Sequence, residues 1–117
     1  MSRDGRQILF SDGTSKDADL VITIPIHKSP DIVASAGLTG QSGWIPVSQS
    51  DLSTTYSYIY AVGDVTTVLM SNGNPMPKAG VFASSGGKTV GTNIAAEINQ
   101  SELVRFAGIG HCYVSYS

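Results

Sequence analysis

Tyr60-Ala61-Val62-Gly63-Asp64 is the stretch that decides the predicted fold, because an apolar run here delivers a glycine and then a carboxylate. The residues 58–62 are typical of a buried strand, which Gly63-Asp64 closes. Ligands bind open α/β sheets at the carboxyl ends of such strands. Glycine lets a backbone approach a ligand closely, and a carboxylate can accept hydrogen bonds from sugar-like hydroxyls. Taken alone, the same residues fit an aspartate that caps the next turn equally well.

A long helix is predicted over residues 80–99, after the turn-rich segment 71–77. Its large apolar residues recur every four positions, at Val90, Ile94 and Ile98. This spacing gives the helix one apolar-to-small face. Three glycines interrupt it, Gly86, Gly87 and Gly91. Each costs about 1 kcal/mol relative to alanine inside a helix, so we expect another backbone or a flat ligand to approach that face closely.

Further segments predict a mixed α/β fold with an incomplete sheet. Residues 7–10 read as a strand that enters an Asp-Gly turn. The run 19–24 is nearly all β-branched or apolar, which is typical of a strand buried on both faces of a parallel sheet. A short helix is predicted over 31–36, a short edge strand over 44–47, and a last strand over 111–116.

The composition narrows the function classes. The chain has 117 residues, 41% of them hydrophobic and 14% charged, and a formal net charge of −2. Lys and Arg form no cluster, so we expect no nucleic-acid partner. The low charge suggests faces that pack against other protein. One cysteine allows no internal disulfide, and no metal-ligand spacing occurs. Without a signal-like apolar run near Met1, a cytoplasmic protein is expected.

Several motifs surround the strand-Gly-Asp stretch in a fixed order. Thr54-Thr55 precedes it, and Pro77-Lys78-Ala79-Gly80 leads directly into the long helix. Upstream and downstream stretches extend the pattern: Asp19-Leu20-Val21-Ile22 with Pro25, Gly43-Trp44-Ile45-Pro46-Val47, and residues 106–114. In this order the motifs resemble sulfide:quinone oxidoreductases and flavocytochrome sulfide dehydrogenases, within the FAD-dependent pyridine nucleotide-disulfide oxidoreductase superfamily. Type II NADH dehydrogenases are similar more distantly.

The resemblance implies a partial FAD/NAD(P)-binding, Rossmann-like domain. Residues 1–50 would be the end of a second dinucleotide-binding domain and the crossover, and 51–100 the carboxyl part of the FAD-binding domain. Residues 101–117 would begin a carboxyl-terminal domain. The chain carries no Gly-x-Gly-x-x-Gly turn for the FAD pyrophosphate. We therefore expect the chain to need an amino-terminal part of the flavoprotein, and to bind FAD weakly and catalyse nothing by itself.

The same resemblance implies the site residues. Gly63, Asp64 and the Val65 backbone would bind the ribityl chain of FAD. Residues Lys78, Ala79 and Gly80 would lie against the flavin ring near N1 and the C2 carbonyl, where a helix amino end and a lysine favour negative charge. The alternative for Lys78 is a solvated surface lysine after a proline turn. Cys112 matches a redox cysteine that takes up sulfur, or else it is a small buried residue on a strand.

The implied function is electron transfer from sulfide, or from NADH, through FAD to a quinone or cytochrome acceptor. The parent enzyme would lie peripherally at a membrane. Two alternatives remain open on the residues alone. One is a non-catalytic α/β fragment that self-associates into a homo-oligomer, and the other is a small binding module in which Gly63-Asp64 is only a turn.

Overall fold

The computed structural model describes residues 6–111, which form a small α/β arrangement of two helices and two sheets. Each sheet has two strands of three residues. The strands are β1 (Gln7–Leu9), β2 (Ser15–Asp17), β3 (Ile45–Val47) and β4 (Thr66–Val68); the helices are α1 (Asp31–Ser35) and α2 (Gly80–Ile98). A single 3₁₀ turn, Gly63–Val65, precedes β4.

Strands β1 and β2 form an antiparallel hairpin, as the Asp-Gly turn predicts. Gly13 has φ +85°, a conformation that glycine adopts without steric cost. The Asp12 carboxylate accepts hydrogen bonds from the hydroxyl and the backbone N–H of Thr14. These bonds, the hydroxyl first, lower the pKa of Asp12. The expected strand over 7–10 and its turn are confirmed.

Strands β3 and β4 pair in parallel, with Ile45 opposite Thr66 and Val47 opposite Val68. The short extended piece predicted over 44–47 is thus confirmed. Its partner β4 was not predicted, because Thr66-Thr67-Val68 is too short to stand out from the sequence around it.

The strand predicted over 58–62 is wrong. Tyr58 has φ +64° and is 91% exposed, so the chain turns there instead of running straight. Only Tyr60 makes a β-bridge, antiparallel to Ser53. The backbone becomes extended at Val62 (φ −137°, ψ 156°), immediately before the 3₁₀ turn. The apolar run therefore delivers Gly63-Asp64 as a loop end and not as a strand end.

The strand predicted over 19–24 is also wrong in the described structure. Leu20, Ile22 and Ile24 are 76–86% exposed, and the segment has no regular secondary structure. A strand needs a hydrogen-bonded neighbour, and none of the described strands lies beside this one. The strand expected over 111–116 falls, from Cys112 onward, outside the described residues.

Both predicted helices are confirmed, α1 ending before Gly37 (φ +70°) and α2 spanning Gly80–Ile98. Helix α2 packs on a small core whose buried members are Leu52, Val68, Val90 and Phe106. A methyl group added at Gly86 would lie 2.9 Å from a Leu52 methyl group, which explains that glycine. Methyl groups at Gly87 and Gly91 would meet nothing within 4 Å. Of the three glycines, only Gly86 is closely approached, and the approaching groups are side chains instead of the expected backbone or flat ligand.

The chain is extended for its length. Its radius of gyration is 19.2 Å, against about 13–14 Å for a compact domain of this size. Among the described residues, no helix combines the length and apolarity needed to cross a lipid bilayer.

Candidate functional site

The Gly63–Val65 turn packs directly on the first turn of α2. Gly63 has φ +77°, and a β-carbon added there would lie 3.3 Å from the β-carbon of Ala83. Any larger residue at this position would combine a strained backbone with a tight contact. The turn also closes locally, because the Thr66 hydroxyl donates to the Gly63 carbonyl at 2.7 Å. Glycine thus lets the turn and the helix end approach each other.

The amino end of α2 has no side-chain cap. Ala79 precedes the helix in an extended conformation, and its carbonyl accepts from the N–H groups of Phe82 and Ala83. The N–H groups of Gly80 and Val81 have no hydrogen-bond acceptor within residues 6–111. Free N–H groups at a helix amino end, together with the helix dipole, favour a bound anion or carbonyl oxygen.

Lys78 joins the turn to the start of α2. Its ammonium group donates to the carbonyl oxygens of Asp64 and, at 3.0 Å, of Thr66. The same group lies 3.6 Å from the centre of the Trp44 ring, a cation–π distance. Burial lowers the pKa of Lys78, and the charge of Asp64 offsets part of that effect. Lys78 is thus an exposed residue whose ammonium group is nevertheless held by two backbone carbonyls and the Trp44 ring.

The Asp64 carboxylate is exposed and has no hydrogen bond or ion pair with any residue in 6–111. The 3₁₀ turn has no side-chain cap. The interpretation of Asp64 as a turn cap therefore has no support in the described structure. Its oxygens remain available to a ligand outside the chain.

A cavity of about 20 Å³ is lined by residues of both the turn and the helix end. This volume is enough for a water molecule and far too small for an organic cofactor. Most of its lining comes from the turn, the Pro-Lys-Ala entry to α2 and the core: Leu52, Gly63, Asp64, Thr66, Val68, Met76, Pro77, Lys78, Ala79, Phe82, Ala83 and Phe106. The site is thus a wall with a shallow depression and not an enclosed pocket.

The structure brings most of the predicted site residues together. Four of them line the cavity, namely Gly63, Asp64, Lys78 and Ala79. Val65 lies in the same turn and Gly80 begins α2. Cys112 lies outside the described residues, so its proposed redox role stays a prediction.

Sequence reasoning missed two participants in the site. The sequence indicates no site role for Trp44 or Thr66, yet the Trp44 ring and the Thr66 carbonyl both contact the Lys78 ammonium. Trp44 is the residue immediately before β3, and Thr66 is the first residue of β4. Only the pairing of these two strands places them side by side, so no local signal could have identified them.

Residues 6–111 contain no group of three or more His, Cys, Asp or Glu side chains that could hold a metal ion. No protein-family model matches the chain.

Proposed function

We propose that this chain supplies the flavin-facing wall of an FAD site in a sulfide:quinone oxidoreductase-like flavoprotein, as part of a Rossmann-like domain. One observation carries the proposal. The Gly63-Asp64 turn and the amino end of α2 face a common cavity. Lys78, just before α2, donates hydrogen bonds to the carbonyl oxygens of Asp64 and Thr66 on the other side. Both motifs of the sequence resemblance therefore belong to one surface.

The groups on this surface fit the chemistry of a flavin. The free N–H groups of Gly80 and Val81 are donors suited to the carbonyl and electron-rich nitrogen edge of the ring. A methyl group added at Gly80 would meet no side chain or distant backbone atom of residues 6–111 within 4 Å, so the chain leaves space beside the start of α2. The unpaired Asp64 carboxylate suits the hydroxyls of a ribityl chain.

When bound, FAD would supply the two-electron chemistry that links a sulfide or NADH donor to a quinone or cytochrome acceptor. The residues of this chain would position the flavin and stabilise negative charge on it. An ammonium has three N–H donors, and Lys78 uses two of them on the Asp64 and Thr66 carbonyls. It therefore acts as a fixed positive charge beside the helix end, which stabilises negative charge on a ligand held there.

Reconstitution with a complementary polypeptide tests the proposal. The chain is co-expressed with an amino-terminal half that bears a Gly-x-Gly-x-x-Gly turn, and the retained yellow flavin is measured after purification. We expect retention by the pair and little by the chain alone. Tight stoichiometric FAD on the chain alone would contradict a half-site.

A matched pair of variants locates the contact. Asp64→Asn removes the charge that would accept ribityl hydroxyls, a loss of about 1.5–3 kcal/mol and hence roughly tenfold to a hundredfold in the FAD dissociation constant. Glu102→Gln makes the same chemical change on an exposed residue outside the site. Equal FAD affinity in the two variants would contradict the assignment of Asp64 to the ribityl contact.

The alternative of a self-associating α/β fragment is favoured by a different observation, the exposure of Leu20, Ile22, Ile24 and Ile26. It concerns another surface of the chain. Both properties can therefore belong to one polypeptide.

A further inference from the structure

Residues 20–26 form an exposed apolar segment, and hydrogen bonds hold the chain on either side of it. The Ala18 N–H donates to the Arg6 carbonyl at one end, and the Ser29 hydroxyl donates to the Gly43 carbonyl at the other. Every second residue between them is large and apolar, at exposures of 76, 85, 86 and 98%: Leu20, Ile22, Ile24 and Ile26. Alternate residues of an extended chain share a face, so these four would form one apolar face.

The backbone of this segment is unpaired as well. Within residues 6–111, no backbone N–H or C=O group of 19–28 makes a hydrogen bond. The stretch 20–26 carries no charge. An uncharged apolar stretch with free backbone groups is a template for pairing with another strand.

We propose that residues 20–26 pair antiparallel with the same residues of a second copy of this chain, about a two-fold axis at Thr23. This register sets Leu20 opposite Ile26 and Ile22 opposite Ile24, so that apolar side chains meet across the pair. It also sets Asp19 opposite His27, a carboxylate facing an imidazole, twice by symmetry. In this register the segment pairs apolar residues with apolar residues and a carboxylate with an imidazole that can donate a hydrogen bond, so it is complementary to itself.

Pro25 supports the same register. In an antiparallel pair, directly opposed residues alternate between hydrogen-bonded and non-hydrogen-bonded positions. If Thr23 faces its copy at a non-hydrogen-bonded position, Pro25 occupies the same kind of position two residues later. Its missing N–H then costs no bond, and the bonds fall on Ile22 and Ile24.

Parallel pairing of two copies is disfavoured on the same grounds. Aligned in parallel, Asp19 would approach the Asp19 of the other copy, and like charges opposite each other destabilise a strand pair. Since a lone two-stranded ribbon is marginal in water, we expect a reversible, concentration-dependent dimer.

Cysteine cross-linking tests the register directly, in a Cys112→Ser background that removes the native thiol. Thr23→Cys would bring two cysteines about 4.5 Å apart between α-carbons, within disulfide reach. Leu20→Cys alone would not cross-link, whereas a mixture of Leu20→Cys and Ile26→Cys chains would. Equal cross-linking of Thr23→Cys and Leu20→Cys would refute the register.

Two proline variants test the backbone hydrogen bonds between the two copies. Their dimerisation is measured by sedimentation velocity over a series of dilutions. Ile22→Pro removes an N–H at a bonded position in each copy, and we expect roughly thirtyfold weaker dimerisation. Thr23→Pro, at a non-bonded position, should leave it nearly unchanged. Circular dichroism checks that both variants fold.

Two outcomes overturn the proposal. One is a chain that stays monomeric on concentration and does not cross-link at Thr23→Cys. The other is cross-linking of that variant only to a co-expressed amino-terminal half, which would assign the segment to a different sheet. Neither measurement involves flavin, so the result is independent of the proposed cofactor site.

Discussion

At the scale of single residues, the Lys78 ammonium joins three segments that are distant in sequence. It contacts the Trp44 ring, the carbonyl of Asp64 in the 3₁₀ turn, and the carbonyl of Thr66 in β4. Thr66 is buried, so its carbonyl has little access to water as a substitute partner. The lysine is therefore a structural part of the surface as well as a source of charge.

Replacing Lys78 tests this role. We expect Lys78→Met to lower the free energy of unfolding by about 1–3 kcal/mol, because it removes the cation–π contact and leaves two carbonyls without their donor. Lys88→Met is the control, since Lys88 is an exposed residue of α2 outside this contact. Urea unfolding of the two variants supplies the comparison, and equal losses would contradict the role.

Tyr60 gives a pH-dependent prediction. Its hydroxyl donates a hydrogen bond to Glu97, and this bond is the main cause that raises the pKa of Tyr60 to about 12, with burial second. The bond stabilises the fold fully below pH 10, the ordinary tyrosine value, and this contribution is lost as the pH rises from 10 to about 12.

Ultraviolet titration of tyrosinate checks this behaviour. In the wild-type chain, Tyr60 should give a late ionisation step at about pH 12. Glu97→Gln removes the negative charge and should shift that late step toward pH 10. Tyr60→Phe should delete it. A titration curve that is identical in Glu97→Gln and wild type would refute the assignment.

The order of motifs in the sequence predicts most residues of the candidate site. It does not predict the hydrogen bonds that these residues make. Pro77-Lys78-Ala79-Gly80 and Gly63-Asp64 can be recognised as motifs without knowing the fold. The acceptors of Lys78 are backbone carbonyls, and the direction of a carbonyl depends on the conformation of the turn that holds it. Trp44 is brought near only by the β3–β4 pairing.

At the scale of elements, the glycines of α2 divide into two kinds. Gly86 is buried against Leu52, and a methyl group there would approach a Leu52 methyl to 2.9 Å. Gly87 is exposed, and a methyl group there would meet nothing within 4 Å. The helix-propensity gain of alanine over glycine is the same for both, about 1 kcal/mol.

We therefore expect Gly87→Ala to stabilise the chain by up to about 1 kcal/mol. Gly86→Ala should gain less or should destabilise, because Leu52 is only 2% exposed and has little room to move aside. Thermal unfolding of both single variants measures the difference. A higher midpoint for Gly86→Ala than for Gly87→Ala would contradict the packing described.

The elements differ in how far sequence predicts them, for a physical reason. Helix α2 is held by bonds between residues four apart, so its bounds follow from local composition. Strands are held by distant partners. The apolar run at 19–24 has strand-like composition without a neighbour in the described structure, and the run at 58–62 forms only the isolated bridge to Ser53. Strand β4 has a neighbour and an unremarkable composition.

At the scale of the whole molecule, the hydrophobic core is small. Its main cluster among the described residues has four buried members, and one of them, Leu52, is 2% exposed and packs against α2 and Phe106. Truncating a buried leucine costs about 2–5 kcal/mol, which is comparable to the total stability of many small domains.

We therefore expect Leu52→Ala to abolish cooperative unfolding at ambient temperature, as followed by circular dichroism. Leu103→Ala, at a residue that is 49% exposed, should leave the transition largely in place. Similar behaviour of the two variants would mean that the cluster around Leu52 is not the principal core.

The position of Trp44 has an optical consequence. It is the only tryptophan of the chain, and its ring lies against the Lys78 ammonium on the proposed flavin-facing wall. Indole emission overlaps flavin absorption, so an isoalloxazine arriving at this surface would quench the intrinsic fluorescence of the protein by energy transfer. Ligand arrival could then be followed in real time without any added dye.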